Sequence, residues 1–210
     1  MPGYTINGTP VRTLIFDVGG VLLDYRWKAL MQEGGLSPEG SDDLSRLMFG
    51  DPFWTELDRG VVPEEDAAPY YCEKCPQYSS VIRYFLSNWS RMPVDRPAVW
   101  ARIPKLRELG YQTYILSNYP KKLFAAHTGG RPFMSMMDGV VVSCDIQMIK
   151  PEPQIYHYLL DTYGLDPAAC LFFDDREANT AAARREGIAA VTVPTQDYLL
   201  GILDTILMSK

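Results

Sequence analysis

TLIFDVGGVLLD, Thr13 to Asp24, is the stretch from which the architecture can be read. Leu14, Ile15 and Phe16 form a short apolar run without polar alternation, which predicts a strand buried on both faces. The run stops at Asp17, just before the pair Gly19-Gly20. In open parallel sheets ligands gather beyond the carboxyl ends of the strands, so a carboxylate there, with flexible backbone after it, is a candidate reacting group. An Asp that merely caps a turn would leave the same trace, so the remainder of the chain has to decide.

The 210 residues suit one α/β domain with an insertion, or two small domains, and are enough to bury a full-sized core. A hydrophobic fraction of 47% is ordinary for a globular protein, and a formal net charge of −6 argues against nucleic acid or an anionic membrane surface as the main partner. A small anionic substrate therefore needs a local source of positive charge. The sequence contains no apolar run of about eighteen residues, and its start, MPGYTINGTP, has neither a basic nor an apolar targeting region. The expectation is a cytoplasmic protein, monomeric or homodimeric, acting on a small molecule. Of the four cysteines only Cys72 and Cys75 have C-x-x-C spacing, with no further zinc ligands nearby, which favours a structural role. With His127 and His157 the only histidines, neither beside an obvious nucleophile, a Ser-His-Asp triad is disfavoured.

After Asp24 the pattern changes. Residues 26–96 carry helix-like spacing, as in Leu44, Leu47, Met48 and later Val81, Ile82, Phe85, Trp89, with breaks at Gly34-Gly35, Asp51-Pro52 and Gly60. This segment reads as a helical cap inserted into a main domain formed by residues 1–25 and 97–210, with Tyr25 to Trp27 and Met92 to Pro97 as linkers. The main domain resumes with a helix from Pro97 to Leu109, kinked at Pro104, and then alternates. Strands are expected at Gln112 to Leu116, Val140 to Ser143, Leu171 to Phe173 and Ala189 to Val193, separated by helices, and a terminal helix carries Leu199, Leu203 and Ile206. This alternation predicts the α/β class: a doubly wound, Rossmann-like parallel sheet with an inserted α-helical cap.

Three further strand ends are polar. The second ends in Ser117-Asn118, the fourth in Asp174-Asp175, and the loop after the third carries Lys150 within IKPEPQIY. Together with Asp17 they bring acidic groups, a hydroxyl and a lysine to one edge of one sheet, more than capping alone requires.

In this order and spacing FDVGGVL, LSN, IKPEPQIY and FFDDREAN resemble the four motifs of the haloacid dehalogenase superfamily, most of whose members are phosphatases. The resemblance implies a Mg²⁺-dependent phosphomonoester hydrolase acting on a small phosphorylated metabolite, and the DVGGVLLD form is similar to a branch that includes sugar-1-phosphate phosphatases. By matching position, Asp17 would be the nucleophile that forms an aspartyl-phosphate, Ser117 and Asn118 would bind the phosphoryl group, and Lys150 would clamp it and keep Asp17 ionised. Mg²⁺ would sit on Asp17, the backbone carbonyl of Gly19, Asp175 and the adjacent Asp174, with Asn179 in support. Three carboxylates against Lys150 and Mg²⁺ would leave a nearly neutral seat for a phosphate dianion.

One departure stands out. The family's phosphatases usually carry a second Asp two residues after the nucleophile, as the proton donor and acceptor; here that position is Gly19. The loss of acid-base help, typically worth about 10²–10⁴-fold, implies slow turnover or better leaving groups, with Asp24 or a cap residue as a substitute. Trp54, Tyr70, Tyr71, Tyr78, Tyr84 and Trp89 of the cap could stack on a sugar, although aromatics at such spacing usually serve a core. Two alternatives remain at this level: a metal-free 2-haloacid dehalogenase, which uses the same nucleophile, and a catalytically silent phosphate-binding module.

Overall fold

The computed structural model describes residues 2–6 and 8–209. A short antiparallel ribbon of β1 (Thr5–Ile6) and β2 (Thr9–Pro10) leads into β3 (Thr13–Phe16), all four residues of which are buried. Where the two linkers meet the main domain the chain forms a further ribbon, β4 (Leu23–Tyr25) lying antiparallel to β5 (Pro93–Asp95) with Asp24 opposite Val94. The remaining strands are β6 (Gln112–Ser117), β7 (Gly139–Val142), β8 (Cys170–Asp174) and β9 (Ala189–Thr192). With β3 they form a five-stranded sheet in the order β7-β6-β3-β8-β9, every pair parallel. This is the Rossmann-like doubly wound sheet that the alternation predicts.

Two apolar clusters cover the sheet's two faces because the central strands are buried on both. Leu14 and Phe16 point into one, shared with Leu199, Leu203 and Ile206 of the terminal helix (Gln196–Met208). Ile15 points into the other, shared with Ile155, Tyr156 and Leu159 of the helix Pro153–Tyr163. The expected kinked helix at 97–109 is two helices, Pro97–Trp100 and Ile103–Glu108; Pro104 stands in the first turn of the second, where its missing N–H costs no hydrogen bond.

Between β4 and β5 the chain builds a helical unit with its own core, in which Leu30, Leu44, Leu57, Tyr71 and Phe85 are fully buried. Ser37 and Asp51 cap the helices Pro38–Phe49 and Pro52–Arg59, each with Pro in the first turn. Cys72 and Cys75 lie in this core, and all four cysteines are free thiols. Tyr71 is enclosed in it as well, and Tyr70 stacks on Phe53 at a centroid distance of 3.9 Å. No helix among the described residues is long and apolar enough to cross a membrane.

Candidate functional site

The site follows from strand register. Phe16 of β3 is level with Ile115 of β6 and Phe173 of β8, so Asp17, Ser117 and Asp174, one or two residues further on, emerge together at the carboxyl edge of the sheet. The amide of Asp17 still donates to the Phe173 carbonyl at 2.9 Å, which holds the two strand tips in line. Asp17 is only 7% exposed.

Its carboxylate is held asymmetrically. Oδ1 accepts from the Ser117 hydroxyl at 2.6 Å and the Val18 amide at 2.7 Å, and it lies 3.1 Å from the Lys150 ammonium. Oδ2 has no hydrogen-bond partner among the described residues. Burial, with Asp174 and Asp175 adding to it, pushes the Asp17 carboxyl up to about 7, against the pull of Lys150 and Ser117.

Lys150 is fully enclosed, and its three protons have three recipients: Asp174 Oδ2 at 2.6 Å, the Leu116 carbonyl at 2.9 Å and Asp17 Oδ1. Its single positive charge offsets only one of the two carboxylates it touches, and its bonds tie β6 to β8. The Asn118 side chain exchanges two hydrogen bonds of 2.9 Å with the backbone of Lys150, which orders that loop and engages both groups of the amide. Asp174 is fully buried; beyond Lys150, it accepts from the Arg176 amide and, through both oxygens, from the Asn179 amide group at 2.9 and 3.0 Å. Asp175, by contrast, faces the cleft with no hydrogen bond to its carboxylate among the described residues, and burial raises its carboxyl above the usual range.

The residues present fit a hard divalent cation. Oxygens of Asp17, Asp174 and Asp175 all lie within 4.8 Å of one another, and Asn179 Oδ1, at the same cleft, is buried without a hydrogen-bond partner among the described residues. Three carboxylates against one enclosed lysine leave an excess of negative charge that an oxygen-seeking cation would relieve.

Both glycines after Val18 have steric reasons. Gly20 has φ of 67°, and a Cβ there would lie 2.6–2.8 Å from the Asp175 side chain. A Cβ on Gly19 would lie 2.8 Å from the Tyr25 ring. The phenol of Tyr25 thus fills the space beside position 19, and it is hydrogen-bonded to the Tyr119 hydroxyl. Asp24 is turned away from the site: it pairs with buried Arg96 at 3.0 Å and caps the Tyr25 amide, so it is not the substitute that its nearness in sequence suggests.

Asp17, Ser117, Lys150 and Asp175 line one cavity of about 160 Å³, together with Tyr25, Asp58 and Arg176. A second cavity of about 160 Å³ adjoins it, walled by Trp54, Met92, Tyr119 and Leu123. Of the cap aromatics named from the sequence, only Trp54 lines either of these two cavities. Tyr25, Asp58, Tyr119 and Arg176 were missed, because each reaches the cleft through tertiary packing and belongs to no spaced pattern.

A family model for haloacid dehalogenase-like hydrolases matches residues 11–187. Among curated relatives, bifunctional epoxide hydrolase 2 of Mus musculus is 31% identical over 126 residues, 56% of this chain and 22% of its own length. The chain spans only about a fifth to two fifths of the epoxide hydrolases it matches. YhcW of Bacillus subtilis, named as a supposed phosphatase, is 28% identical over 89% of this chain and 84% of its own. Among solved structures, a family enzyme of Bacteroides thetaiotaomicron in complex with magnesium and inorganic phosphate aligns with a TM-score of 0.64 at 21% identity, covering 87% of this chain and 93% of that one. A dehalogenase aligns with a TM-score of 0.73 at 20% identity, covering 98% and 99%. At such identities the structural likeness speaks for the fold.

Proposed function

The chain belongs to the haloacid dehalogenase-like hydrolase family and is an enzyme of it, and on that footing we propose that it is a Mg²⁺-dependent phosphomonoester hydrolase working through an aspartyl-phosphate on Asp17. The observation that carries the reading is the contrast between two carboxylates. Asp17 has one oxygen fixed by Ser117, Val18 and Lys150 and the other free to attack, while the Asp175 carboxylate stands beside it with no hydrogen bond or ion pair among the described residues. A dehalogenase attacking carbon would have no use for the second group.

Asp17, Asp175 and the Gly19 carbonyl would hold the ion, with Asp174 and Asn179 behind them. When bound, Mg²⁺ polarises a phosphoryl oxygen and offsets the charge of the dianion. The chain's own residues do the rest. Ser117 and Lys150 keep Asp17 oriented, Arg176 offers a cation at the cleft mouth, and the adjoining cavity with its Trp54 wall receives the leaving group. Its size and aromatic lining suit a small ring-bearing alcohol, such as a sugar or a phenol.

The assay is nitrophenol release from p-nitrophenyl phosphate. Release that requires Mg²⁺, stops with chelator and is absent from Asp17→Asn is the expected result. Chloride release from 2-chloropropionate without metal would replace this reading with the dehalogenase, and silence on both substrates would reduce the chain to a binding module.

A further inference from the structure

The phosphatase reading leaves a proton unassigned, since Gly19 has no side chain to protonate the leaving oxygen. The bond that breaks should lie at the seam of the two cavities, between the phosphoryl seat and the leaving-group pocket. Four residues line both: Tyr25, Asp58, Asn118 and Tyr119.

Hydrogen-bond direction and group chemistry remove three of them. His127 Nε2 lies 2.8 Å from the Trp89 carbonyl, which can only accept, so that nitrogen carries the proton. Burial pushes His127 down to about 4, so the ring is neutral and Nδ1 accepts from the Tyr119 hydroxyl at 2.7 Å. Tyr119 in turn accepts from Tyr25. The protons of both phenols therefore point away from the seam, toward the histidine. The Asn118 side chain, tied to the Lys150 backbone, is a carboxamide with no acidic proton to give.

Asp58 remains, its carboxylate without a hydrogen bond among the described residues. It is also held firmly in place. It lies at the end of the cap helix Pro52–Arg59, and its carbonyl accepts from the buried Ser143 hydroxyl. The next residue, Arg59, forks onto Glu152 at 2.8 and 2.6 Å, and Gly60, with φ of 77°, lets the helix end press on the Cys144 backbone, 2.8 Å from where a Cβ would stand. Asp17, Lys150, Arg176 and Tyr119 line the same cavity as the group, and the charges of Asp17, Lys150 and Arg176 act on it. Burial with Asp17 opposite outweighs the two cations and pushes Asp58 up to about 7, a value at which a carboxyl can both give and take a proton.

We propose that Asp58 is the general acid and base of the reaction, a carboxyl supplied by the cap in place of the one missing at position 19. As Asp17 Oδ2 forms its bond to phosphorus and the bridging P–O bond breaks, the Asp58 carboxyl gives its proton to the departing alkoxide. The resulting carboxylate then takes a proton from water as that water attacks the aspartyl-phosphate. The bond between phosphorus and Asp17 breaks, inorganic phosphate leaves, and Asp58 is again protonated.

The test compares kcat/KM of Asp58→Asn with wild type on a sugar phosphate and on p-nitrophenyl phosphate, whose leaving phenolate needs no proton. The expected loss is about 10²–10⁴-fold on the sugar ester and under about tenfold on the aryl ester. Because water activation is also lost, the variant should release about one equivalent of nitrophenol in a burst before a slow steady state. Equal losses on both esters, or a steady rate from the first turnover, would overturn the assignment. Asp58→Ala serves the same comparison if the Asn variant does not fold. Wild-type inactivity on both esters would instead remove the phosphatase reading, and this inference with it.

Discussion

Restoring the missing Asp should damage the protein unless Tyr25 is removed as well. At position 19 even a methyl group would stand 2.8 Å from Tyr25 Cε2 and 3.0 Å from its hydroxyl, against ordinary carbon contacts of about 3.5–4 Å. The ring cannot simply swing aside: its hydroxyl is bonded to Tyr119, and its face packs against His127 at a centroid distance of 5.9 Å. Overpacking of this kind costs about 1–3 kcal/mol, and the broken phenol hydrogen bond adds about 1. Gly19→Asp should therefore lose about 2–4 kcal/mol, a fall in Tm of roughly 5–15 °C for a chain of this size, and gain no turnover. Gly19→Ala should also destabilise, although a Gly-to-Ala change at a compatible backbone angle ordinarily stabilises by about 0.4–1 kcal/mol. The assay is thermal unfolding of Gly19→Ala, Gly19→Asp, Tyr25→Ala and the two doubles. Removing the ring should return most of the loss, a coupling of at least about 1 kcal/mol. A neutral or stabilising Gly19→Ala in the presence of Tyr25, or strict additivity in the doubles, would refute the steric account.

Two other outcomes follow from the site's electrostatics and from the cap's attachment. Asp17 is raised from 3.8 to about 7 by burial, so between those values the native state keeps a proton that the unfolded chain releases. The stability it contributes is complete below about pH 4 and is lost as pH rises through 7, by at most about 4 kcal/mol at 1.36 kcal/mol per unit. Urea midpoints in chelator at pH 5 and pH 8 should consequently diverge less for Asp17→Asn than for wild type, and identical shifts would contradict the assignment. Glu152→Ala removes the fork that fixes Arg59 and the end of the cap helix. It should cost about 1 kcal/mol and speed amide hydrogen exchange at residues 57–60, and unchanged exchange there would show that Ser143 and Gly60 suffice.

The sequence by itself determined the sheet and the strand-tip cluster. A strand buried on both faces must be apolar throughout, so a charge at its end is conspicuous, and parallel register then carries Asp17, Ser117 and Asp174 to one edge. The helical character of the segment between β4 and β5 was legible for a similar reason, since apolar residues at helical spacing are covered by packing on one another. What the tertiary structure alone decided is how those groups are spent and who joins them. Lys150 and Asn118 are engaged by protein partners, which motif position does not reveal. Asp24, adjacent in sequence to Tyr25, turns outward to Arg96, while Tyr25 turns in because β4 pairs with β5. Asp58 reaches the seam because the end of the cap helix is clamped onto the short helix Ser143–Ile146 that follows β7. Such contacts join residues dozens of positions apart, held by close approach and charge, and a contact of that kind leaves no period or spacing along the chain.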